Sequence, residues 1–216
     1  MILRQIQEHI GGIYDVPIAH DVYDFLVTER TRLPPSSHSA QADEELIIVQ
    51  ERDTIGVSLY LDGGLLERLR RADPLEHLDA GNVADYWTAL EGVSHFVYLA
   101  WNATHDKPVS LLELEMQAEI DKYIASYVLL RRQSPERFPA ELLRLLFERT
   151  RVDPSLTLGR QAMYRAASRY AEKFCRRLER GLRDSRAELG QEVLAELRRF
   201  YRLNDGRKMA HIERGR

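Results

Sequence analysis

The chain has 216 residues, with 31 Lys+Arg against 34 Asp+Glu, 44% hydrophobic residues and one cysteine, and that length can bury a sizeable core. No apolar run approaches the ~20 residues that span a bilayer, and the stretch Met1-Ile2-Leu3-Arg4-Gln5-Ile6-Gln7-Glu8 lacks the basic, apolar and small-residue parts of a secretory signal. A lone Cys175 excludes an intrachain disulfide and suits a reducing compartment, so the cytoplasm is the expected location.

The net charge of −3 conceals an asymmetry: residues 1–130 carry 9 Lys+Arg and 22 Asp+Glu, a net −13, whereas residues 131–216 carry 22 and 12, a net +10. Opposite halves point to a nucleic-acid or membrane partner, or to attraction within the molecule. Of the basic residues, 27 are Arg and four are Lys, which fits guanidinium recognition chemistry and a GC-rich coding bias equally. The expected organisation is an acidic α+β region over 1–130 and a basic all-helical region over 131–216, packed together as one globular unit.

In chain order, Ile2, Ile6, Ile10 and Ile13 recur at helical spacing, predicting a short amphipathic helix broken at Gly11-Gly12. A second helical stretch, His20–Thr31, turns Val22, Phe25 and Leu26 inward. Pro34-Pro35-Ser36-Ser37-His38-Ser39-Ala40-Gln41 has the composition of a mobile linker. Leu46–Glu51 and Thr54–Leu61 are rich in β-branched residues, and Ile55, Val57, Leu59 and Leu61 alternate inward, predicting an antiparallel hairpin. Arg52-Asp53 is not a favoured two-residue turn, so a longer loop is expected. An isolated hairpin is marginal in water and must pack on helices or pair in a dimer. A short helix, Leu65–Ala72, follows Gly63-Gly64.

Residues 82–130 organise the chain. Asn82 with Asp85, and Ser110 with Glu113, read as capping boxes that open two long helices, Asn82–Ala103 and Leu111–Leu130. The turn Thr104-His105-Asp106-Lys107 is too short for a crossover, so the two helices are antiparallel neighbours. Counting away from it sets Tyr98 near Leu114, His95 near Gln117 and Ala118, and Glu91 near Asp121 and Lys122. The segment 93–101 is apolar on almost every side, as a helix buried among other helices is.

Beyond residue 131 the sequence reads helical. Ser134-Pro135 and Pro139 precede a helix over Ala140–Thr150, and Asp153-Pro154 closes the connector after it. A helix over 157–180 has Met163, Ala166, Ala167, Tyr170, Phe174 and Leu178 on one face, with Gly181 as its stop. Ser185 with Glu188 opens another, with Leu189, Val193, Leu197 and Tyr201 inward, and Asn204-Asp205-Gly206 ends it. An Arg-rich frayed tail is expected after that. The predicted fold is therefore mostly α (α+β): about six or seven helices with one small antiparallel β-hairpin.

The sequence holds no phosphate-binding Gly-rich loop, no Gly-x-Ser-x-Gly elbow, no His-Glu-x-x-His and no paired cysteines. Arg71 and His77 have a spacing similar to that of the helical HEPN ribonucleases, but 27 Arg and seven His generate about two or three such spacings by chance. No family is assigned. One patch does carry chemistry. Glu91 and His95, four apart, share a helix face with Tyr98, and Glu115 and Glu119, also four apart, share a face of the partner helix. Carboxylates and a histidine projecting from facing helices are how bundles hold divalent metal ions. The plainer reading pairs Glu91 with Lys122, hydrogen-bonds His95 in the core and leaves Glu115 and Glu119 solvated. A second candidate is the basic stripe Arg165, Arg169, Lys173, Arg176, Arg177 and Arg180, facing an anion or a partner's acidic surface. Acidic surface of residues 1–130, within the monomer or across a dimer, is the expected neighbour of that stripe. The composition favours a cytoplasmic, non-catalytic binding or regulatory protein with a protein partner or a second copy of itself. The alternatives are a metal-dependent enzyme built on the helical hairpin and, more weakly, a nucleic-acid-binding protein using the stripe.

Overall fold

The computed structural model describes residues 1–33, 42–51, 54–148, 152–184 and 189–215. The expected linker 34–41, the turn 52–53 and the expected Ser185–Glu188 cap lie outside these residues. Among the described residues the chain is mostly helical, with eight α-helices and a three-stranded mixed sheet rather than a lone hairpin.

Helix α1 (Ile2–Tyr14) buries Leu3, Ile6, Ile10 and Ile13. It runs straight through Gly11-Gly12, where a break was expected. Each helical glycine costs roughly 1 kcal/mol, and that is less than burying an Ile or Leu contributes, about 1.5–3 kcal/mol per side chain. The helix stops at Asp15, which takes a left-handed conformation (φ 54°) and donates its N–H to Gly11 O. The carbonyls left over at this end accept from guanidinium groups far along the chain. Arg198 reaches Ile13 O at 3.1 Å and Gly12 O at 3.3 Å, and Arg202 reaches Tyr14 O at 3.0 Å and Asp15 O at 2.9 Å.

The helix expected over 20–31 is replaced by a single 3-10 turn (Val22–Phe25), a two-residue strand β1 (Leu26–Val27) and a second 3-10 turn (Arg30–Arg32). Asp21 accepts from Tyr23 N at 3.0 Å, a local bond that competes with helix. Strands β2 (Glu44–Glu51) and β3 (Thr54–Leu61) are antiparallel, and β1 pairs parallel with β3, giving the order β1-β3-β2. The ladder holds as far as Glu51 opposite Thr54, so only residues 52–53 separate the strands where a longer loop was expected. Leu59 and Leu61 point into the core and Val57 packs against it; Tyr60 is buried as well, and the side chain of Ile55 lies outside what is described. Asp62 then caps α2 (Gly63–Arg71) by accepting from Leu65 N.

Helices α3 (Val83–Ala103) and α4 (Leu111–Gln133) form the expected antiparallel hairpin at the centre of the molecule. Ser110 and Glu113 make the capping box. Asn82 does not cap; its amide instead donates to Ala72 O and His77 O, and its Oδ1 accepts from Asp79 N, tying the α2–α3 connection together. The sheet and α1 cover α3, while α5 (Leu142–Glu148) and α6 (Leu158–Asp184) cover α4. Helix α6 continues through Gly181 rather than stopping there. A Cβ on Gly181 would lie 3.0 Å from Val193 Cγ2, so glycine allows α7 (Gln191–Tyr201) to pack close. Asn204 does not end the chain's ordered part: its side chain accepts from Arg207 N and caps α8 (Asp205–Arg214), which buries Lys208 and Ile212 where a frayed tail was expected. A side chain that stops one helix can start the next, and the buried groups under α8 decide for the second.

Candidate metal centre

The core of the hairpin is polar on two sides of α4. On the side facing the sheet, Glu91 and His95 of α3, Glu115, Glu119 and Lys122 of α4, and Glu44 of β2 converge. Ligand atoms of Glu91, His95 and Glu115 lie within 4.8 Å of one another. The Lys122 ammonium donates to Glu91 Oε2 at 2.9 Å and to Glu119 Oε1 at 2.7 Å. The histidine is held between carboxylates, with Nδ1 3.4 Å from Glu44 Oε1 and Nε2 3.8 Å from Glu115 Oε2. The first is a hydrogen bond; the second is too long to be one. His95 Nε2 is buried without a hydrogen-bond partner, as is Glu119 Oε2.

Helical spacing supplies most of this arrangement. Residues four apart stand one above the other on α3 and again on α4, and the antiparallel register brings the two rows face to face. Glu44 arrives from another element and was missed by the sequence reading. Gly92 lets it in: a Cβ there would lie 2.9 Å from Leu59 Cδ1 and 3.0 Å from Glu44 Cγ, so only glycine allows β2 and β3 this close to α3. The signal in the sequence was a lone glycine inside a helix next to the acidic and imidazole residues, which marks a close approach.

Burial and charge shift the titration of every member. Burial alone would lower the His95 pKa, but Glu115, Glu44 and Glu91 around it raise it to about 9. Burial pushes Glu115 up to about 7 against the pull of His95, and it raises Glu44 and Glu119 as well. Glu91 is held below the ordinary carboxylate value: burial opposes ionisation, but Lys122 and His95 outweigh it. The cluster is not sealed. Glu91 keeps 28% of its side chain exposed, whereas His95 keeps 7%. An ion would enter past Glu91.

The other side of α4 holds a second, fully buried network. Asp121 accepts from Tyr14 Oη, from Ser94 Oγ at 2.6 Å and from Gln117 Nε2 at 2.8 Å. Lys208 of α8 donates to Tyr98 Oη at 2.8 Å and Gln117 Oε1 at 3.1 Å, and Tyr98 Oη donates to Glu113 Oε1 at 3.3 Å. Tyr98 therefore serves this network and not the histidine cluster, although it shares a helix with His95.

Glu91, His95, Glu115 and Glu119 all face the first cluster, and Glu115 and Glu119 are largely buried rather than solvated as the plainer reading had them, with 10% and 13% of their side chains exposed. The stripe on α6 stands differently from expectation. Lys173 pairs with Glu213, Arg176 with Glu172 and Glu148, and Arg177 with Glu196. All four acids belong to residues 131–216: Glu148 ends α5, Glu172 lies on α6 itself, Glu196 on α7 and Glu213 on α8. Among the described residues Arg165, Arg169 and Arg180 have no carboxylate partner; Arg165 donates to Gln161 and Arg169 lies over the Tyr170 ring. Arg71 is paired with Glu67 and His77 is exposed beside Asp79, so the two share no site.

No family model, curated protein or solved structure matches this chain. Among the described residues, no helix is long and apolar enough to cross a membrane.

Proposed function

We propose that this chain binds a divalent transition-metal ion at Glu91, His95 and Glu115, and that it acts as a metal-dependent enzyme. The observation that carries this is His95, buried with Nε2 unpartnered and turned towards Glu115 while Nδ1 faces Glu44. A carboxylate on the far nitrogen of a ligating histidine fixes its tautomer and aims the other nitrogen's lone pair at the metal. The charge supports the same reading. Four glutamates against Lys122 and His95 leave the cluster two negative charges in excess when all are ionised, and buried charge of that kind is offset by protons or by a cation. An imidazole with carboxylates suits manganese, iron or zinc. Three protein ligands leave positions for water or a substrate, as catalytic centres do and closed structural sites do not. The buried free Cys175 supports a reducing, cytoplasmic setting.

Elemental analysis of protein purified without an affinity tag, followed by metal titration of the chelator-treated protein, tests the proposal. One tightly held ion per chain is expected, and His95→Ala should abolish it. A folded wild-type protein with no affinity for manganese, iron or zinc would overturn it.

A second reading, a partner-binding protein, is supported by the edge strand β2, where Ile48 and Val49 are each 46% exposed. Strand edges with exposed apolar residues pair with other chains. Sedimentation of an Ile48→Lys, Val49→Lys variant beside the wild type tests it: a monomer in both cases, with no captured partner strand, would remove it.

A further inference from the structure

Four carboxylates surround two cation positions, and the chain itself fills one of them. The first position lies between Glu91, His95 and Glu115, whose ligand atoms fall within 4.8 Å of one another. In the second, the Lys122 ammonium touches Glu91 Oε2 at 2.9 Å and Glu119 Oε1 at 2.7 Å. Glu91 belongs to both. Resting on the metal-binding reading above, we infer that Lys122 is a built-in cation that keeps the centre mononuclear, occupying the place a second metal ion would take in a carboxylate-bridged pair.

The arrangement matches what a paired centre needs apart from the ammonium. Metal pairs stand about 3.5–4 Å apart with a carboxylate between them, and Glu91 lies between the histidine position and the lysine. Lys122 is only 6% exposed, and its ammonium is held between the carboxylates of Glu91 and Glu119. The residual charge is small in either arrangement. With a neutral, metal-bound His95, four carboxylates, one ammonium and one divalent ion leave a single negative charge; without the ammonium, two divalent ions cancel the carboxylates. Glu119 Oε2, buried and without a hydrogen-bond partner, is the spare oxygen that a second ion would use.

The test is manganese loading of the untagged full-length protein, with stoichiometry from elemental analysis and nuclearity from electron paramagnetic resonance. Wild type should bind one ion with the spectrum of an isolated centre. Lys122→Ala should bind two with an exchange-coupled spectrum, and Lys122→Arg, which keeps the charge, should bind one. Two ions in the wild type, or one in folded Lys122→Ala, would overturn the inference while leaving metal binding intact; no ion in the wild type would overturn metal binding itself. Glu119→Gln keeps the test decisive if Lys122→Ala does not fold. On this inference Glu119 serves only the lysine position, so that variant should change the affinity for the single ion by less than about threefold, whereas Glu115→Gln should weaken it about 10- to 100-fold. Equal losses in the two would place Glu119 on the metal and refute the assignment.

Discussion

Glu44 Oε1 lies 3.4 Å from His95 Nδ1, so a carboxylate carried on a β-strand orients an imidazole carried on a helix. Glu44→Ala should therefore weaken metal binding about 10- to 100-fold while leaving the helical circular dichroism unchanged. An unaltered affinity would mean that the helices alone hold His95.

Metal uptake should release protons. A ligating histidine must be neutral, yet without metal His95 stays protonated up to about 9 and Glu115 up to about 7. Above about pH 9 neither proton competes and affinity should be flat. Between about 9 and 7 affinity should fall about tenfold per unit of pH as the imidazole proton competes, and more steeply below about 7 when Glu115 adds its own. Calorimetry in two buffers of different ionisation enthalpy counts the protons. A constant affinity from pH 6 to pH 9 would contradict this.

Gly92→Ala should damage the fold and the site together. Its new methyl group would meet Leu59 Cδ1 at 2.9 Å and Glu44 Cγ at 3.0 Å, and overpacking of this kind costs about 1–3 kcal/mol. Gly159 in α6 is the control, since nothing lies within 4 Å of its Cβ position; Gly159→Ala should be neutral or stabilise by up to about 1 kcal/mol. Urea unfolding reads the stability, and the metal titration reads the displacement of Glu44.

Lys208 gives the chain a distinctive dependence of stability on pH. Burial lowers its pKa to about 7, despite the pull of Glu113, Asp121 and Asp205, from 10.5 in an exposed lysine. Between those values the unfolded chain binds the proton and the folded chain does not, so this group makes stability rise with pH across the window and fall as pH drops towards about 7. His95, raised to about 9, contributes the opposite slope. The difference between wild type and Lys208→Met isolates the lysine. The variant should gain most, relative to wild type, near pH 7 and lose that advantage above pH 10. Parallel curves would mean that Lys208 is charged when folded and unfolded alike.

The helical hairpin was legible because its signals are local: the Ser110–Glu113 cap, a short turn and a continuous apolar segment set the register that pairs Glu91 with Lys122. What escaped reading depends on contacts between distant elements. Strand β1 is two residues long and exists only because β3 offers it an edge. Glu44 carries no local mark of its role, and Gly92 gains its meaning from Leu59 across the interface. Asn204-Asp205-Gly206 has the composition of a stop, and only the buried partners of Lys208 turn it into a helix start. The basic stripe was visible as a spacing, but its acidic partners within this chain came from α5, α7, α8 and its own helix rather than from the acidic half.

The carbonyls of Gly12, Ile13, Tyr14 and Asp15 accept from Arg198 and Arg202, which follow them by some 185 residues. A ribosome emits α1 long before it emits α7. Until then the end of the first helix can bond only to water, and Tyr14 lacks Tyr201, the ring it stacks on at 4.1 Å. The early chain therefore leaves the exit tunnel with an amphipathic helix that can dock on α3 once that helix follows, but whose C-terminal end stays uncovered until α7 arrives. It is there that a chaperone would find its hold.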